Sequence, residues 1–167
     1  MISAYADAYR VLGSEEYLKK ARRALRHVTE RMRAADSTLL RSYRGGRTSG
    51  AAYQEDYAFL IRGFLSLYEA TDDGQYLTLA ITLQETADRL FWDPIGHGYF
   101  FGTEAEDLIA RRKSTHDAAI PSGNAEAIHN LIGLTEATGN RAYLTRAGKV
   151  LTRYAHQMEK ILPHTIG

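Results

Sequence analysis

The sequence predicts an all-α chain that is built from three α-hairpins. A 67-residue shift of the sequence against itself places residues 51–87 over 118–154 without a gap, and 12 of the 37 pairs are identical. A 59-residue shift brings in a weaker third copy near the N-terminus, where Tyr9 matches Tyr68. Within each copy, apolar residues recur at helical spacing on both sides of a short polar turn, which is typical of two antiparallel helices.

Turn residues divide the three copies into helix pairs. The predicted hairpins span about residues 1–34, 54–91 and 123–160 of one domain, 1–167. Their turns contain small polar residues that leave helical geometry easily: Gly13-Ser14, Thr71-Asp72-Asp73-Gly74 and Gly139-Asn140. Ser14 and Ser122 each come directly before a predicted helix, so both are expected to be N-caps.

Two long connections, residues 36–54 and 92–123, join the hairpins. Both contain short β-like pieces, at residues 39–44, 98–101 and 108–111. Because the short turns lie on one side of the hairpins, the long loops share the other side, where repeat proteins usually carry their binding surface.

A glycine-rich stretch, residues 45–50, lies in the first long connection. It does not end in the Gly-Lys-Ser or Gly-Lys-Thr sequence of a phosphate-binding loop, and it has no strand-to-helix context. We therefore interpret it as a turn.

Composition excludes several classes of function. The 167 residues contain no cysteine, which removes disulfides, thiolate metal sites and cysteine nucleophiles and fits a cytoplasmic location. The formal net charge of +1 gives no reason to expect a nucleic-acid or membrane partner. The N-terminal residues lack a signal-peptide pattern. The six histidines share no metal-ligand spacing, so we expect neither a metal nor another cofactor.

A set of motifs occurs in a fixed order along nearly the whole chain. These are Arg41-Ser42-Tyr43-Arg44, Glu55-Asp56-Tyr57-Ala58-Phe59-Leu60, Leu67-Tyr68-Glu69-Ala70-Thr71, Phe91-Trp92-Asp93, Gly98-Tyr99-Phe100-Phe101 and Asp117-Ala118-Ala119-Ile120-Pro121-Ser122-Gly123-Asn124. Together they resemble the thioredoxin-domain protein family related to spermatogenesis-associated protein 20 and bacterial YyaL. Three positions depart from that family: His97 stands where glycine is usual, Ala118 where glycine is expected, and Glu126 where an apolar residue is common.

The resemblance implies a fold and a place within a larger protein. In that family a thioredoxin-like domain precedes a six-hairpin (α/α)6 toroid, a fold shared with sugar epimerases and many glycosidases. Three hairpins therefore imply about half of such a toroid. Because half a ring leaves two open ends, we expect the chain to associate with itself.

The N-terminal ends of the second and third hairpins carry the candidate catalytic groups. Glu55 and Asp56 lie at the start of one helix. Acids there can act as general acid and base on a glycosidic bond or a sugar carbon, or they can simply be stabilised by the helix dipole. Asp117 takes the matching position in the next loop, beside His116, and imidazole is the side chain best suited to proton transfer near neutral pH. The alternative for His116 is an exposed loop histidine. His129 falls within a helix and is interpreted as a surface or packing residue.

Loop-side arginine and aromatic residues are the candidate substrate-binding groups. Guanidinium groups bind carboxylates, phosphates and sugar hydroxyls, and sugar faces stack on aromatic rings. The candidates are Arg44, Tyr53, Tyr57, Trp92, Tyr99 and Arg111. The alternatives are a structural ion pair between a loop arginine and Asp56 or Asp117, and loop packing for the rings.

Two classes of function follow from these residues and the resemblance. The first is a carbohydrate-active toroid that binds a small carbohydrate-like ligand. The second is a non-catalytic helical scaffold or ligand-binding module associated with a thioredoxin-like domain. Fold alone does not choose between them, because function depends on the site.

Overall fold

The described part of the chain folds into six helices and one small sheet. A computed structural model describes residues 1–34, 36, 38–103, 111–113 and 120–161, with side chains described as far as residue 155 in the last helix. The elements are α1 (Ile2–Leu12), α2 (Glu15–Arg31), β1 (Leu40–Arg44), β2 (Arg47–Ala51), α3 (Gln54–Thr71), α4 (Gly74–Phe91), α5 (Gly123–Thr138) and α6 (Arg141–Ile161). The all-α prediction is confirmed, and the predicted β piece at residues 39–44 of the first long connection corresponds to β1. Most of the predicted piece at 108–111 lies outside the described residues.

Each predicted turn joins the two helices of one hairpin. Gly13, Asp72 and Gly139 adopt the left-handed conformation that ends a helix, with φ values of 67°, 54° and 72°. Asp73 then caps α4 by accepting a hydrogen bond from the Gln75 N–H. Ser122 caps α5 in the same way through the Ala125 N–H, as predicted, whereas the side chain of Ser14 makes no cap bond.

The helices form two layers. In the inner layer, α3 packs between α1 and α5. In the outer layer, α2, α4 and α6 each pack against the inner helix of their own hairpin. The buried apolar side chains of the second hairpin, including Phe64, Leu65 and Phe91, lie at the centre of the resulting core.

Side-chain amides fix α5 against α3. The Nε2 of Gln54 donates to the carbonyl oxygen of Gly123 at 3.0 Å, and the Nδ2 of Asn130 donates to that of Ala58 at 2.8 Å. All of these groups are buried. At Gly123 the two helices approach so closely that an added Cβ would lie 2.0 Å from the Oε1 of Gln54.

The first long connection contains an antiparallel β-hairpin. Strand β1 pairs with β2, with Arg44 opposite Arg47, so the turn itself is confined to Gly45-Gly46. The interpretation of residues 45–50 as a turn is therefore wrong for the last four, 47–50, because those residues belong to β2 and pair with β1. In the second connection, residues 98–101 form only a single bridge, between Tyr99 and Trp92.

No helix in the described part of the chain is both long and apolar enough to cross a membrane.

Candidate functional site

The N-terminal end of α3 brings three of the predicted site residues together. The Oδ2 of Asp56 accepts the backbone N–H of Tyr53 at 2.8 Å and lies 3.3 Å from the Nη1 of Arg41. The other terminal nitrogen of Arg41 is 3.9 Å from the Oε1 of Glu55. The Arg41 guanidinium also lies 4.2 Å from the centre of the Tyr53 ring, which stacks on Phe101. Asp56 therefore caps the helix and pairs with Arg41, the structural arrangement named above as one alternative.

Tyr57 and Tyr99, two of the predicted binding rings, lie in the interior. Each is only 1% exposed. The hydroxyl of Tyr57 accepts the N–H of Leu39 at 2.8 Å. The hydroxyl of Tyr99 donates to the Oδ1 of Asp88 at 2.6 Å. Burial raises the pKa of both phenols, so both hydroxyls remain protonated and bonded within the fold.

The remaining predicted binding residues lie in or beside the long connections. Trp92 is half-buried, at 5.2 Å ring-to-ring from Tyr99. The NH2 group of Arg111 donates to the carbonyl oxygens of Leu90 and Gly102 at 2.8 and 2.7 Å. Arg44 is exposed at the tip of the β-hairpin. The predicted catalytic residues His116 and Asp117 lie outside the described residues.

An ion pair anchors the start of the second connection. The Oδ2 of Asp93 accepts from the Nζ of Lys113 at 2.7 Å, and its Oδ1 accepts the N–H groups of Ile95 and Gly96 at 2.9 and 3.0 Å. Desolvation alone would raise the pKa of Asp93, but the bonds from Lys113 and the two N–H groups outweigh it and lower the pKa to about 2.

We expect the Asp93→Asn variant to lose pH-dependent stability. Because the pKa of Asp93 falls from 3.8 to about 2 on folding, the carboxylate stabilises the fold above about pH 4, and this contribution disappears as the pH falls towards 2. The variant should unfold more easily at pH 7 and lose less stability between pH 4 and pH 2. Urea unfolding at a series of pH values measures both effects. Equal slopes for the two proteins across that interval would contradict the assignment.

A polar surface, here called the inner face, lies on the sides of α3 and α5 that point away from the outer helices. Glu55, Arg62 and Glu69 are spaced seven residues apart on α3 and form its least buried stripe. On α5, His129 and Glu136 are likewise seven residues apart and exposed. Across the two helices, the Nε of Arg62 lies 3.9 Å from the Oε1 of Glu126. The inner face therefore carries acids, a cation and an imidazole on two neighbouring helices.

Glu126 is the most perturbed group on the inner face. Its side chain is only 11% exposed. Burial raises the pKa of Glu126, and the opposing effects of Arg62 and His129 do not cancel this rise. A carboxyl group with a raised pKa gives up its proton less readily than an ordinary glutamate, so it is a better proton acceptor and holds a proton at higher pH.

The prediction from sequence missed Arg62 and Glu126 as candidate site residues and interpreted His129 as a surface or packing residue. Three signals were present. Arg62 follows Glu55 by seven residues, and the 67-residue shift places Arg62 over His129. Glu126 also departs from the apolar residue common in the family that the motifs resemble.

The chain is similar in sequence to known proteins over nearly its whole length. No model of a protein family matches the chain. Mouse spermatogenesis-associated protein 20 is 35% identical over 173 residues, covering 96% of the chain. The chain spans about a fifth of that relative's length, since the match covers 22% of it.

Solved structures with a similar arrangement of hairpins include a D-mannose isomerase and an α-mannanase. A D-mannose isomerase matches with a TM-score of 0.74 and 17% identity, over 91% of the chain and 38% of the isomerase. A GH76 α-mannanase from Bacteroides thetaiotaomicron matches with a TM-score of 0.70 and 18% identity, over 89% and 37%. At such identities the likeness establishes the fold alone. The chain is therefore homologous to one segment of spermatogenesis-associated protein 20 and folds as about half of a six-hairpin (α/α) toroid.

Proposed function

We propose that the inner face forms part of the wall of a sugar-binding lumen, in which Glu126 transfers a proton. In a closed ring of hairpins the inner helices surround the central cavity, so this face meets the ligand. The observation that carries the proposal is the placement of Arg62, Glu126 and His129 together on that face. The solved structures of this fold include an isomerase and a mannanase, which supports a carbohydrate as the ligand class.

The chemistry that suits these groups is proton transfer next to a sugar carbonyl. As a carboxylate, Glu126 removes the proton from C2 of an open-chain aldose, and the electron pair forms an enediolate. Arg62 stabilises the negative oxygen. The protonated Glu126 then delivers its proton to C1 while the O2 hydroxyl proton passes to O1, which gives the ketose. Return of the proton to the same face of C2 regenerates the starting aldose, so formation of the C2 epimer requires a second acid on the opposite face of C2. Further candidates for the acid and the base are Glu55, His116 and Asp117, which the sequence places at the hairpin ends that carry the long connections.

The proposal is tested by hydrogen exchange at C2. The chain is incubated with mannose or glucose in deuterated water, and proton NMR follows loss of the C2 signal. We expect exchange above the uncatalysed rate in the unaltered chain and at least about a hundredfold loss in Glu126→Gln. Glu16→Gln on α2, an exposed acid paired with Lys20, is the matched control and should keep the full rate.

Two results would overturn this proposal. One is the absence of exchange together with the absence of sugar-induced shifts at Arg62 and His129 in the NMR spectrum. The other is exchange that is unaffected by Glu126→Gln in a folded variant.

A non-catalytic scaffold is the second candidate, and a specific observation favours it. Asp56, Tyr57, Tyr99 and Arg111, which were predicted as site residues, make hydrogen bonds within the fold. In this case the inner face binds ligands without turnover, and sugar binding without C2 exchange is the expected result.

Self-association and a cytoplasmic location stay predictions. Val11 and Leu12 are 77% and 64% exposed at the end of α1, and Leu144 and Leu151 are 44% and 51% exposed on α6, which supports association through the open hairpins. A light-scattering mass of 18.7 kDa at micromolar concentration would contradict association. Fractionation of cells expressing the chain tests the location.

A further inference from the structure

A cavity of about 740 Å³ lies beneath the N-terminal end of α1. The first residues of α1 and the C-terminal half of α2 form one side of it, with Val28 and Met32 on its floor. Leu39, Arg41 and the first turns of α3 form the other side. This cavity, called the α1 groove below, is separate from the ion pair of Arg62 and Glu126 on the inner face.

The internal repeat shows which part of another hairpin corresponds to the α1 groove. Under the 59-residue shift Ile2 lies over Ile61, and Tyr9 lies over Tyr68. The same shift places Met1 over Leu60, whereas α3 already begins at Gln54. Residues 54–59 of α3, which has 18 residues against 11 in α1, therefore have no counterpart in α1. The α1 groove lies where a corresponding two turns of helix would continue α1.

The walls of the α1 groove match the residues that enclose the first turns of α3. Met32 matches Phe91, on which Tyr57 packs edge to face with 5.2 Å between ring centres. Val28 matches the buried Ala87. Arg33 also matches Trp92, and both residues form isolated bridges. Their partners, Leu39 and Tyr99, lie one position out of register under the same shift. The second hairpin therefore supplies a direct template for what covers Val28 and Met32.

Charge at the α1 groove also favours one kind of occupant. Lys20, Arg23 and Arg41 line it together with His27, whereas Asp56 is its one acid among the lining residues described. The first turn of α3 carries Glu55 and Asp56. An acidic first turn followed by an aromatic residue thus complements both the basic rim and the apolar floor.

We propose that the α1 groove is a docking site for two turns of amphipathic helix, continuous with α1, with acidic residues first and an aromatic residue three positions before Met1. That aromatic residue packs on Met32 as Tyr57 packs on Phe91. The length of the mouse relative, of which the match covers only 22%, leaves polypeptide that can supply such a helix. This docking site does not depend on sugar binding at the inner face.

The experiment extends the full chain by six residues placed directly before Met1, with the sequence Gln-Glu-Asp-Tyr-Ala-Phe copied from residues 54–59. Burial of one aromatic side chain should raise the thermal midpoint of unfolding by about 5 °C relative to the unextended chain. The matched control carries the same extension with its tyrosine replaced by alanine, and we expect it to lose most of the gain.

Met32→Ala tests where the extension docks. The substitution should lower the midpoint more in the extended chain than in the unextended chain, because only the extension buries this side chain fully. Light scattering should show that the extension does not increase the mass. Equal midpoints for the tyrosine and alanine extensions, additive effects of Met32→Ala, or a gain in stability that depends on dimer formation would each overturn the proposal.

Discussion

Replacing Tyr57 by alanine is expected to lower the free energy of unfolding by about 3–5 kcal/mol, one of the two largest effects that we predict for this chain. The ring is 1% exposed and packs edge to face on Phe91, so its removal leaves a cavity in the middle hairpin. The hydroxyl also holds the N–H of Leu39, which ties the first long connection to α3. Chemical denaturation with a two-state fit measures the change.

Tyr57→Phe separates the ring from the hydroxyl. It keeps the contact with Phe91 and leaves the buried N–H of Leu39 without its acceptor, which should cost about 1–3 kcal/mol. If Tyr57 binds substrate instead, Tyr57→Ala should weaken ligand binding while stability stays near that of the unaltered chain. That outcome would contradict a structural role for Tyr57 and support its prediction as a substrate-binding residue.

Gly123→Ala should destabilise the chain by about 1–3 kcal/mol, although alanine is the better helix former. The added Cβ would lie 2.0 Å from the Oε1 of Gln54 and 3.1 Å from the Cα of Glu55. Gln54 is buried and bonded to the Gly123 carbonyl, so it can move away only by giving up that bond. We therefore expect α5 to shift relative to α3, with a lower thermal midpoint.

Gly148→Ala is the matched control for this prediction. Gly148 is exposed within α6, and its added Cβ meets no atom within 4 Å. The same change should therefore stabilise the chain by about 0.5–1 kcal/mol through helix propensity alone. The two glycine variants should differ in sign, and a gain in stability for both would refute the close contact at Gly123.

Local sequence rules were sufficient for the helices and their turns. The left-handed residues at Gly13, Asp72 and Gly139 and the cap at Ser122 depend on groups within a few positions along the chain. The repeat then identified equivalent hairpins without any knowledge of their packing. Strand β2 was missed because its residues, Arg47–Ala51, form a strand only by pairing with β1 across the turn.

The site required information that the sequence does not carry locally. Tyr53 and Tyr57 are four residues apart, yet Tyr53 lies at the surface and Tyr57 in the core. The environment of Glu126 depends on Arg62, which is 64 positions away in the chain and on another helix. The sequence marked Glu126 as a departure from its family, but its burial and its partner follow only from the packing of α5 against α3.

The hydrogen bonds between α3 and α5 bear on how such a protein can diverge. Gln54 and Asn130 donate to main-chain carbonyls, at Gly123 and Ala58, and every residue type supplies a main-chain carbonyl. Substitution of side chains along the inner face therefore leaves these acceptors in place. Side chains on the inner face can therefore diverge while the relative position of the helices is inherited unchanged.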